Sequence, residues 1–115
     1  MGHGVTPDTR PATEAELARV AETLHALSTP SRLRILLHLA AGPCVAGELA
    51  AAVGMEQSAV SHQLRILRQL GLVVGTRHGR TVSYRLYDDH VAQLLDEARD
   101  HVEHLRLRAT GSAER

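Results

Sequence analysis

The spacing of hydrophobic residues along the chain predicts five helices interrupted by one β-hairpin. Leucines and valines recur three or four positions apart over about residues 13–27, which gives helix one, and again in helix two, which begins after Thr29. A T-x-x-E capping box opens helix one, and a proline follows Thr29 at the first position of helix two. Two shorter helices follow over about residues 46–53 and 57–70, and a glycine ends each of them.

After Gly71 the hydrophobic period changes from that of a helix to that of a strand. Val82, Tyr84 and Leu86 alternate with polar residues, so we expect a β-hairpin with a polar outer face and a basic tip. Helix five then covers about residues 88–107. The predicted fold is mainly α with a β-hairpin wing, a winged helix-turn-helix in one domain.

Length and composition limit the alternatives. A chain of 115 residues with 43% hydrophobic residues is large enough for one domain, which we assign to residues 13–107. A flexible N-terminal arm is expected over residues 1–12 and a frayed tail over 108–115. No apolar stretch is long enough to span a membrane and no signal peptide is recognisable, so the expected location is cytoplasmic and no membrane partner is expected.

The formal net charge of zero conceals an uneven distribution of charge. Residues 57–87 hold five arginines and no acidic residue, whereas residues 88–104 hold six acidic residues and one arginine. A basic block favours a polyanion as its partner, and an acidic block that also carries histidines favours cations. The two blocks therefore predict two binding functions at different places in one small domain.

Helix three, the turn after Gly54 and helix four form the helix-turn-helix, with helix four as the recognition helix. With 100° per residue, the residues opposite its hydrophobic stripe are short polar side chains, a histidine and an arginine, all suited to base edges and phosphates. They are Ser58, Ser61, His62 and Arg65. Arg77 and Arg80 on the hairpin are expected to contact phosphates or a minor groove. A polar helix face is by itself also typical of a solvated surface, but the wing and the acid-free block favour double-stranded DNA.

Three segments of the chain resemble the arsenic-repressor-type (ArsR/SmtB) family of metal-sensing repressors. They read STPSRLRILLHL, GMEQSAVSHQLRILRQLGLV and GRTVSYRLYDDHVAQLL, and the resemblance covers about residues 14–107. It implies a homodimer that binds operator DNA. It also implies that Gln57 contacts DNA together with Ser58, Ser61 and His62.

One feature of many family members is absent from this chain. Their thiolate metal site on helix three reads C-V-C-D-L, whereas the matching residues here are V-A-G-E-L. Cys44 lies one position earlier and lacks a second thiol as a partner. We therefore expect Cys44 to be a small, buried or half-buried residue, and a redox or metal-binding thiol is the alternative.

Helix five carries a set of metal-ligand residues that cannot meet within one chain. The set is Asp88, His90, His101 and His104. His90 and His101 share a helix face, but they lie about 16 Å apart along the axis. Two antiparallel copies of the helix that cross near Leu95 and Asp96 would bring Asp88 and His90 of one chain to His101 and His104 of the other. Such a dimer would hold two symmetric sites. This ligand spacing resembles that of the helix-five metal site in the family.

The candidate metals differ in the number of ligands that each ion accepts. Zinc is satisfied by four ligands, whereas nickel(II) and cobalt(II) accept six. After removal of Met1, the amine of Gly2 and the imidazole of His3 could supply two more. The opening MGHGV and the segment LYDDHVAQLLDEARDHVEHL resemble nickel- and cobalt-sensing members of the family, which implies a six-coordinate site that includes both residues. Arg106 stands where such a member has a further histidine.

These observations together predict a metal-responsive transcriptional repressor. It would bind operator DNA as a metal-free homodimer and release it when Ni(II) or Co(II) fills the helix-five sites. A zinc-responsive repressor with the same four ligands and a winged-helix regulator with a non-metal signal are the alternatives. The sequence shows no catalytic triad, Cys-His pair or phosphate-binding loop, so neither an enzyme nor a small organic substrate is expected.

Overall fold

The structure, a computed structural model, describes Pro7 and residues 9–113. Within this part of the chain, five helices enclose three short strands. The bounds of these elements are α1 Glu14–Ala26, α2 Pro30–Ala40, β1 Cys44–Val45, α3 Ala46–Val53, α4 Gln57–Gln69, β2 Val73–His78, β3 Thr81–Leu86 and α5 Asp89–Ala113. The predicted mainly helical fold with a β-hairpin wing is confirmed.

The first three helices begin or end where the local sequence signals place them. The Thr13 side chain accepts a hydrogen bond from the backbone N–H of Glu16 at 3.1 Å, which closes the first turn of α1. Thr29 caps α2 in the same way, and Pro30 occupies its first turn. Gly54 ends α3 with a left-handed φ of 70°, a conformation that glycine adopts without steric cost.

The wing contains one strand that the hydrophobic pattern did not predict. β3 lies in the middle of an antiparallel sheet, with β2 on one side and the two-residue β1 on the other. Cys44 pairs with Tyr84 and Val45 with Ser83. A strand of two residues is too short to show alternation, and its pairing joins positions about 40 residues apart, so no local pattern marks it.

The core is built from aliphatic side chains, as the absence of Phe and Trp requires. It joins α2, α3, α4, the wing and the first half of α5 in one cluster. Its largest fully buried members are Ile35, Leu36, Leu49, Val60, Leu64, Leu67 and Val73. Among the helices of the described residues, none combines the length and the apolar character needed to cross a bilayer.

The C-terminal helix is longer than expected. α5 continues to Ala113, beyond the end near Leu107 that the sequence predicts, and the fraying of residues 108–115 stays a prediction. Arg106 forms an ion pair with Glu103 at 2.6 Å, one turn earlier, and the Thr110 hydroxyl donates to the Arg106 carbonyl oxygen. These contacts support the last turns, and no proline interrupts them. The expected arm over residues 1–12 lies mostly outside the described residues, and residues 9–13 belong to no helix or strand.

Gly75 is a position in the wing where a side chain would not fit. A Cβ atom there would lie 3.0 Å from Val82 Cγ1 and 3.1 Å from Tyr84 Cε1. We expect Gly75→Ala to lower the free energy of unfolding by about 1–3 kcal/mol, because overpacking displaces the neighbouring strand. Gly111→Ala is the control, since nothing lies within 4 Å of a Cβ on that helical residue. Equal urea midpoints for Gly75→Ala and the parent protein would contradict the packing.

Cys44 is half-buried, as expected, and its thiol is predicted to react slowly. Burial raises the pKa of the Cys44 thiol, the charge of Glu48 raises it further, and a hydrogen bond with the backbone of Val45 lowers it in part. A raised pKa leaves less thiolate at neutral pH, so iodoacetamide should alkylate Cys44 more slowly than glutathione at pH 7.5. Mass spectrometry over time measures the rate, and the guanidinium-unfolded chain is the control. Alkylation as fast as that of glutathione would contradict the assignment.

Candidate nucleic-acid interface and metal-binding helix

The polar face of α4 is exposed to solvent, as the helical spacing predicted. Val60, Leu64 and Leu67 are fully buried on one side of this helix, which places that side against the core. The side chains expected to contact DNA are all exposed on the rest of the helix surface. They are Gln57, Ser58, Ser61, His62 and Arg65. The helix therefore presents hydroxyl, amide, imidazole and guanidinium groups outward, with the chemistry that base edges and phosphates bind.

The turn between α3 and α4 gives the helix-turn-helix its geometry. After Gly54, the backbone N–H of Met55 donates to the carbonyl oxygen of Ala50 at 3.0 Å, which turns the chain sharply. The side chain of Gln57 lies over Gly47 of α3, with its amide oxygen 3.5 Å from the place of a Cβ on that glycine. Gln57 therefore starts the recognition helix in contact with the helix before it.

The tip of the wing carries the second group of expected DNA contacts. His78 pairs with Thr81, so Gly79 and Arg80 form a two-residue loop, with a φ of 65° at the glycine. Arg77 and Arg80 are exposed, and Arg77 Nη1 donates to the carbonyl oxygen of Gly79 at 3.4 Å. Within the described part of the chain no carboxylate pairs with these two arginines, so both keep a charge available for an anion.

Asp88 and His90 lie together at the start of α5. Asp88 Oδ1 accepts hydrogen bonds from the backbone N–H groups of His90 at 3.0 Å and Val91 at 3.3 Å, which makes Asp88 the N-cap of the helix. Its second oxygen, Oδ2, lies 3.4 Å from His90 Nδ1. One oxygen of Asp88 therefore stabilises the helix while the other faces the imidazole, which is 88% exposed.

His101 and His104 lie exposed at and just beyond the middle of α5, one turn apart. In the residues that the structure describes, no group of three or more His, Cys, Asp or Glu side chains is close enough to hold a metal ion. The helix thus brings Asp88 to His90 and His101 to His104, but it keeps the two pairs apart. One carboxylate and three imidazoles are ligands that a borderline divalent cation prefers, but a single chain brings only two of the four close together at either place.

The apolar face of α5 is partly buried and partly exposed. Val91 and Leu95 are 7% and 3% exposed, because they pack into the core of their own chain. The remaining large apolar residues are exposed on α5 and on α1. They are Leu94, Val102, Leu105 and Leu107 on α5, and Leu17, Val20 and Leu24 on α1. Such unpartnered stripes are typical of a protein interface.

Sequence reasoning missed one polar contact beside the recognition helix. Arg32 Nε donates to Gln63 Oε1 at 2.8 Å and joins α2 to α4. The two residues are 31 positions apart, and neither lies on the polar face that the helical spacing identified. No local pattern signals such a pair, because it arises only when the two helices are packed.

Relatives of known class match most of the chain, and one of them matches nearly all of it. The model of the family described as "Bacterial regulatory protein, arsR family" matches residues 29–74. The HTH-type transcriptional regulator NmtR of Mycobacterium tuberculosis is 62% identical over 110 residues, which are 93% of this chain and 92% of that protein. The HTH-type transcriptional regulator CmtR of Mycobacterium bovis is 48% identical over 84 residues, which are 73% of this chain and 69% of the relative.

Solved structures agree with this relationship. The solution structure of apo-NmtR matches with a TM-score of 0.69 and 61% identity, covering 90% of this chain and 89% of that one. A homodimeric winged helix-turn-helix DNA-binding domain from Mycobacterium bovis matches with a TM-score of 0.74 and 31% identity, covering 83% and 91%. The relatives are DNA-binding regulators and not enzymes. This chain therefore belongs to the ArsR family of bacterial regulatory proteins, as a winged helix-turn-helix transcriptional regulator.

Proposed function

We propose that this chain is a metal-responsive repressor that binds operator DNA as a metal-free homodimer. Binding of Ni(II) or Co(II) between the two α5 helices would release the DNA. One observation carries the proposal: α5 holds one ligand pair at its start and a second pair at and just beyond its middle, and it exposes apolar residues beside the second pair. Each pair is an incomplete site, and a second copy of the same helix is the partner that completes both at once.

Operator recognition is assigned to α4 and the wing. Ser58, Ser61 and His62 would contact base edges, with Gln57 at the start of the same helix. Arg65 on α4, together with Arg77 and Arg80 on the wing, would contact phosphates. All seven side chains are exposed, and they belong to the stretch of residues 57–87 that contains no acidic residue. Exposure and charge both favour an extended anion at this surface.

The homodimer would be held by α1 and α5. The half-exposed leucines and valine of α1 and the apolar residues in the second half of α5 are too numerous for a monomer surface. A solved relative with 31% identity over 83% of this chain is described as homodimeric. In an antiparallel two-fold pair, residues before the crossing point of one helix face residues after the crossing point of the other. A crossing near Asp96 would therefore bring Asp88 and His90 of one protomer to His101 and His104 of its partner.

The metal ligands proposed for each site are Asp88 and His90 of one protomer with His101 and His104 of the other. Asp88 can serve both as cap and as ligand, because its Oδ1 accepts the helix N–H groups while Oδ2 accepts no backbone hydrogen bond. The ion would supply a charge that binds the two protomers to each other at these positions. The metal would release DNA only if it binds best to a dimer conformation that has low affinity for DNA. Bound DNA would then lower the affinity for metal by the same factor by which metal lowers the affinity for DNA.

Nickel or cobalt is proposed over zinc because of Gly2 and His3. The amine of Gly2 and the imidazole of His3 would raise the ligand number from four to six, which suits Ni(II) and Co(II) but is not needed by Zn(II). Both residues lie outside the described residues, so this part of the proposal rests on the resemblance of MGHGV to nickel- and cobalt-sensing family members. Zinc with the four α5 ligands is the alternative effector.

A regulator with a non-metal signal is the second candidate, and one cavity favours it. A cavity of about 310 Å³ lies between α2 and α5, with a mostly apolar lining. Leu33, Leu37, Leu95, Ala98 and Val102 supply its apolar walls, while Arg99 and Glu103 lie at its edge. A small amphipathic molecule would fit this lining. Metal titration of the DNA-bound protein separates the two candidates.

DNA binding should depend steeply on salt and on two residues of α4. We expect Ser61→Ala or His62→Ala to reduce discrimination between an operator duplex, selected from a random library by the metal-free protein, and a scrambled duplex by about 1–3 kcal/mol. Affinity for both duplexes should fall with rising salt, because the arginines displace counterions. Fluorescence anisotropy measures both effects. An equal loss on the two duplexes would show that the residues position the backbone and do not recognise bases.

Loss of the histidine ligands should separate DNA binding from the metal response. We expect His101→Ala and His104→Ala to bind the operator duplex like the parent protein, because α5 lies outside the basic block, but to remain bound when nickel is added. Asp88→Asn is the informative companion, since asparagine also caps a helix but is a weaker metal ligand. Release of the His104→Ala dimer at the parental nickel concentration would contradict the ligand assignment.

The two residues proposed as additional ligands should matter more for nickel and cobalt than for zinc. We expect a protein lacking Gly2 and His3 to lose nickel and cobalt affinity while zinc affinity changes little. The intact protein loaded with cobalt should absorb weakly in the visible range, as six-coordinate cobalt does. An intense four-coordinate spectrum, or unchanged nickel affinity after the deletion, would limit the site to the four α5 ligands.

A further inference from the structure

The contact between Arg32 and Gln63 connects the recognition helix to the rest of the domain. Arg32 Nε donates to Gln63 Oε1 at 2.8 Å, and both side chains are half-buried. The side-chain pairs Asp88–His90 and Glu103–Arg106 join residues two or three positions apart, so they fix nothing beyond α5. The Arg32–Gln63 pair, by contrast, ties two helices whose relative position sets the orientation of the DNA-binding face.

The α2 end of this contact is firmly held. Ile35, Leu36 and Leu39 bury one side of α2 in the core, and Thr29 caps its first turn at the N–H of Arg32 itself. A cation in the first turn of a helix is disfavoured by the helix dipole. Within the described residues no carboxylate pairs with Arg32 to offset this cost. The stability of α2 therefore does not explain an arginine at this position, and the contact with α4 does.

The α4 end of the contact lies beside the residues proposed to recognise bases. Gln63 follows His62 directly, and on the helix it lies about 60° from Val60, at the edge of the buried stripe. At the start of α4, Gln57 lies over Gly47 of α3. The recognition helix is thus held to α3 at one end and to α2 near its middle, which opposes rotation about its own axis.

Rotation is the motion to which base recognition is most sensitive. A turn of about 20° moves the end of a side chain, at a radius of roughly 6 Å, by about 2 Å. Hydrogen bonds to base edges tolerate only about 0.5 Å of variation in length, whereas ionic contacts to phosphates fall off gradually with distance. Loosening α4 should therefore damage sequence discrimination more than general affinity for DNA.

We propose that Arg32 is a positioning residue for operator recognition: its hydrogen bond to Gln63 fixes the rotation of α4. Arg32 contacts no base in this account, and it acts through Gln63. The inference rests on the proposed binding of operator DNA by α4. It assigns a role in sequence specificity to a residue outside the helix-turn-helix and the wing.

The test compares the affinity for the selected operator duplex with the affinity for the scrambled duplex, both measured by fluorescence anisotropy. The full-length proteins are the parent, Arg32→Ala, Gln63→Ala and the double variant. Each single variant should reduce the ratio of the two affinities roughly tenfold, the value of a hydrogen bond to a charged group. The double variant should lose no more than either single variant, because both remove the same contact. Arg34→Ala is the matched control: it removes an equal charge from the exposed side of α2 and should leave the ratio unchanged.

The outcomes distinguish this inference from the function on which it rests. If the parent protein does not discriminate between the duplexes, the proposed function fails. If the parent discriminates but Arg32→Ala binds both duplexes equally less well and with a smaller salt dependence, Arg32 contacts phosphate and the inference is wrong. Additive losses in the double variant would also overturn it. If Arg32→Ala does not fold by circular dichroism, Gln63→Ala decides the matter, since alanine is favoured on a helix and the exchange leaves the core intact.

Discussion

The packing of α5 against the aliphatic core connects the two surfaces of this regulator. Val91 and Leu95 enter the same buried cluster as Val60, Leu64 and Leu67 of the recognition helix. The first half of α5 therefore belongs to the DNA-binding domain, while its second half leaves the core and exposes Val102 and Leu105. In the proposed dimer, this shared core would transmit the arrangement of the two α5 helices to α4, because close-packed interiors have low compressibility and transmit strain.

Charge assigns the two surfaces to different ligands. Five arginines lie on α4 and the wing with no acidic residue among them, and six acidic residues follow from Asp88 to Glu103. The side chains of Asp96, Asp100 and Glu103 line one shallow depression on α5 together with Arg99. This acidic surface favours cations over phosphates, so in the proposed mechanism DNA and metal would not compete for one site. Their antagonism in the proposed mechanism has to arise from the arrangement of the dimer.

Periodicity and end signals were sufficient to predict most of the fold, but long-range polar contacts were not. Thr13, Thr29 and Gly54 mark helix ends because their capping role depends only on neighbours in the chain. The exposed polar face of α4 followed from 100° per residue. β1 and the Arg32–Gln63 bond were missed, since each joins segments tens of residues apart. The burial of Val91 and Leu95 in the core of their own chain was not predictable either, because a helical stripe shows which face is apolar but not what covers it.

The central claim, that each metal site is shared between two α5 helices, is tested most directly with a mixed dimer. One protomer carries Asp88→Ala and His90→Ala, the other carries His101→Ala and His104→Ala, and different non-histidine affinity tags allow the mixed species to be isolated. A shared site predicts that the mixed dimer keeps one complete site and binds one nickel ion, while each variant homodimer binds none and the parent dimer binds two. Neither protomer of the mixed dimer holds all four ligands. A mixed dimer without nickel, beside a parent dimer with two ions, would therefore show that each chain builds its site alone and would contradict the account.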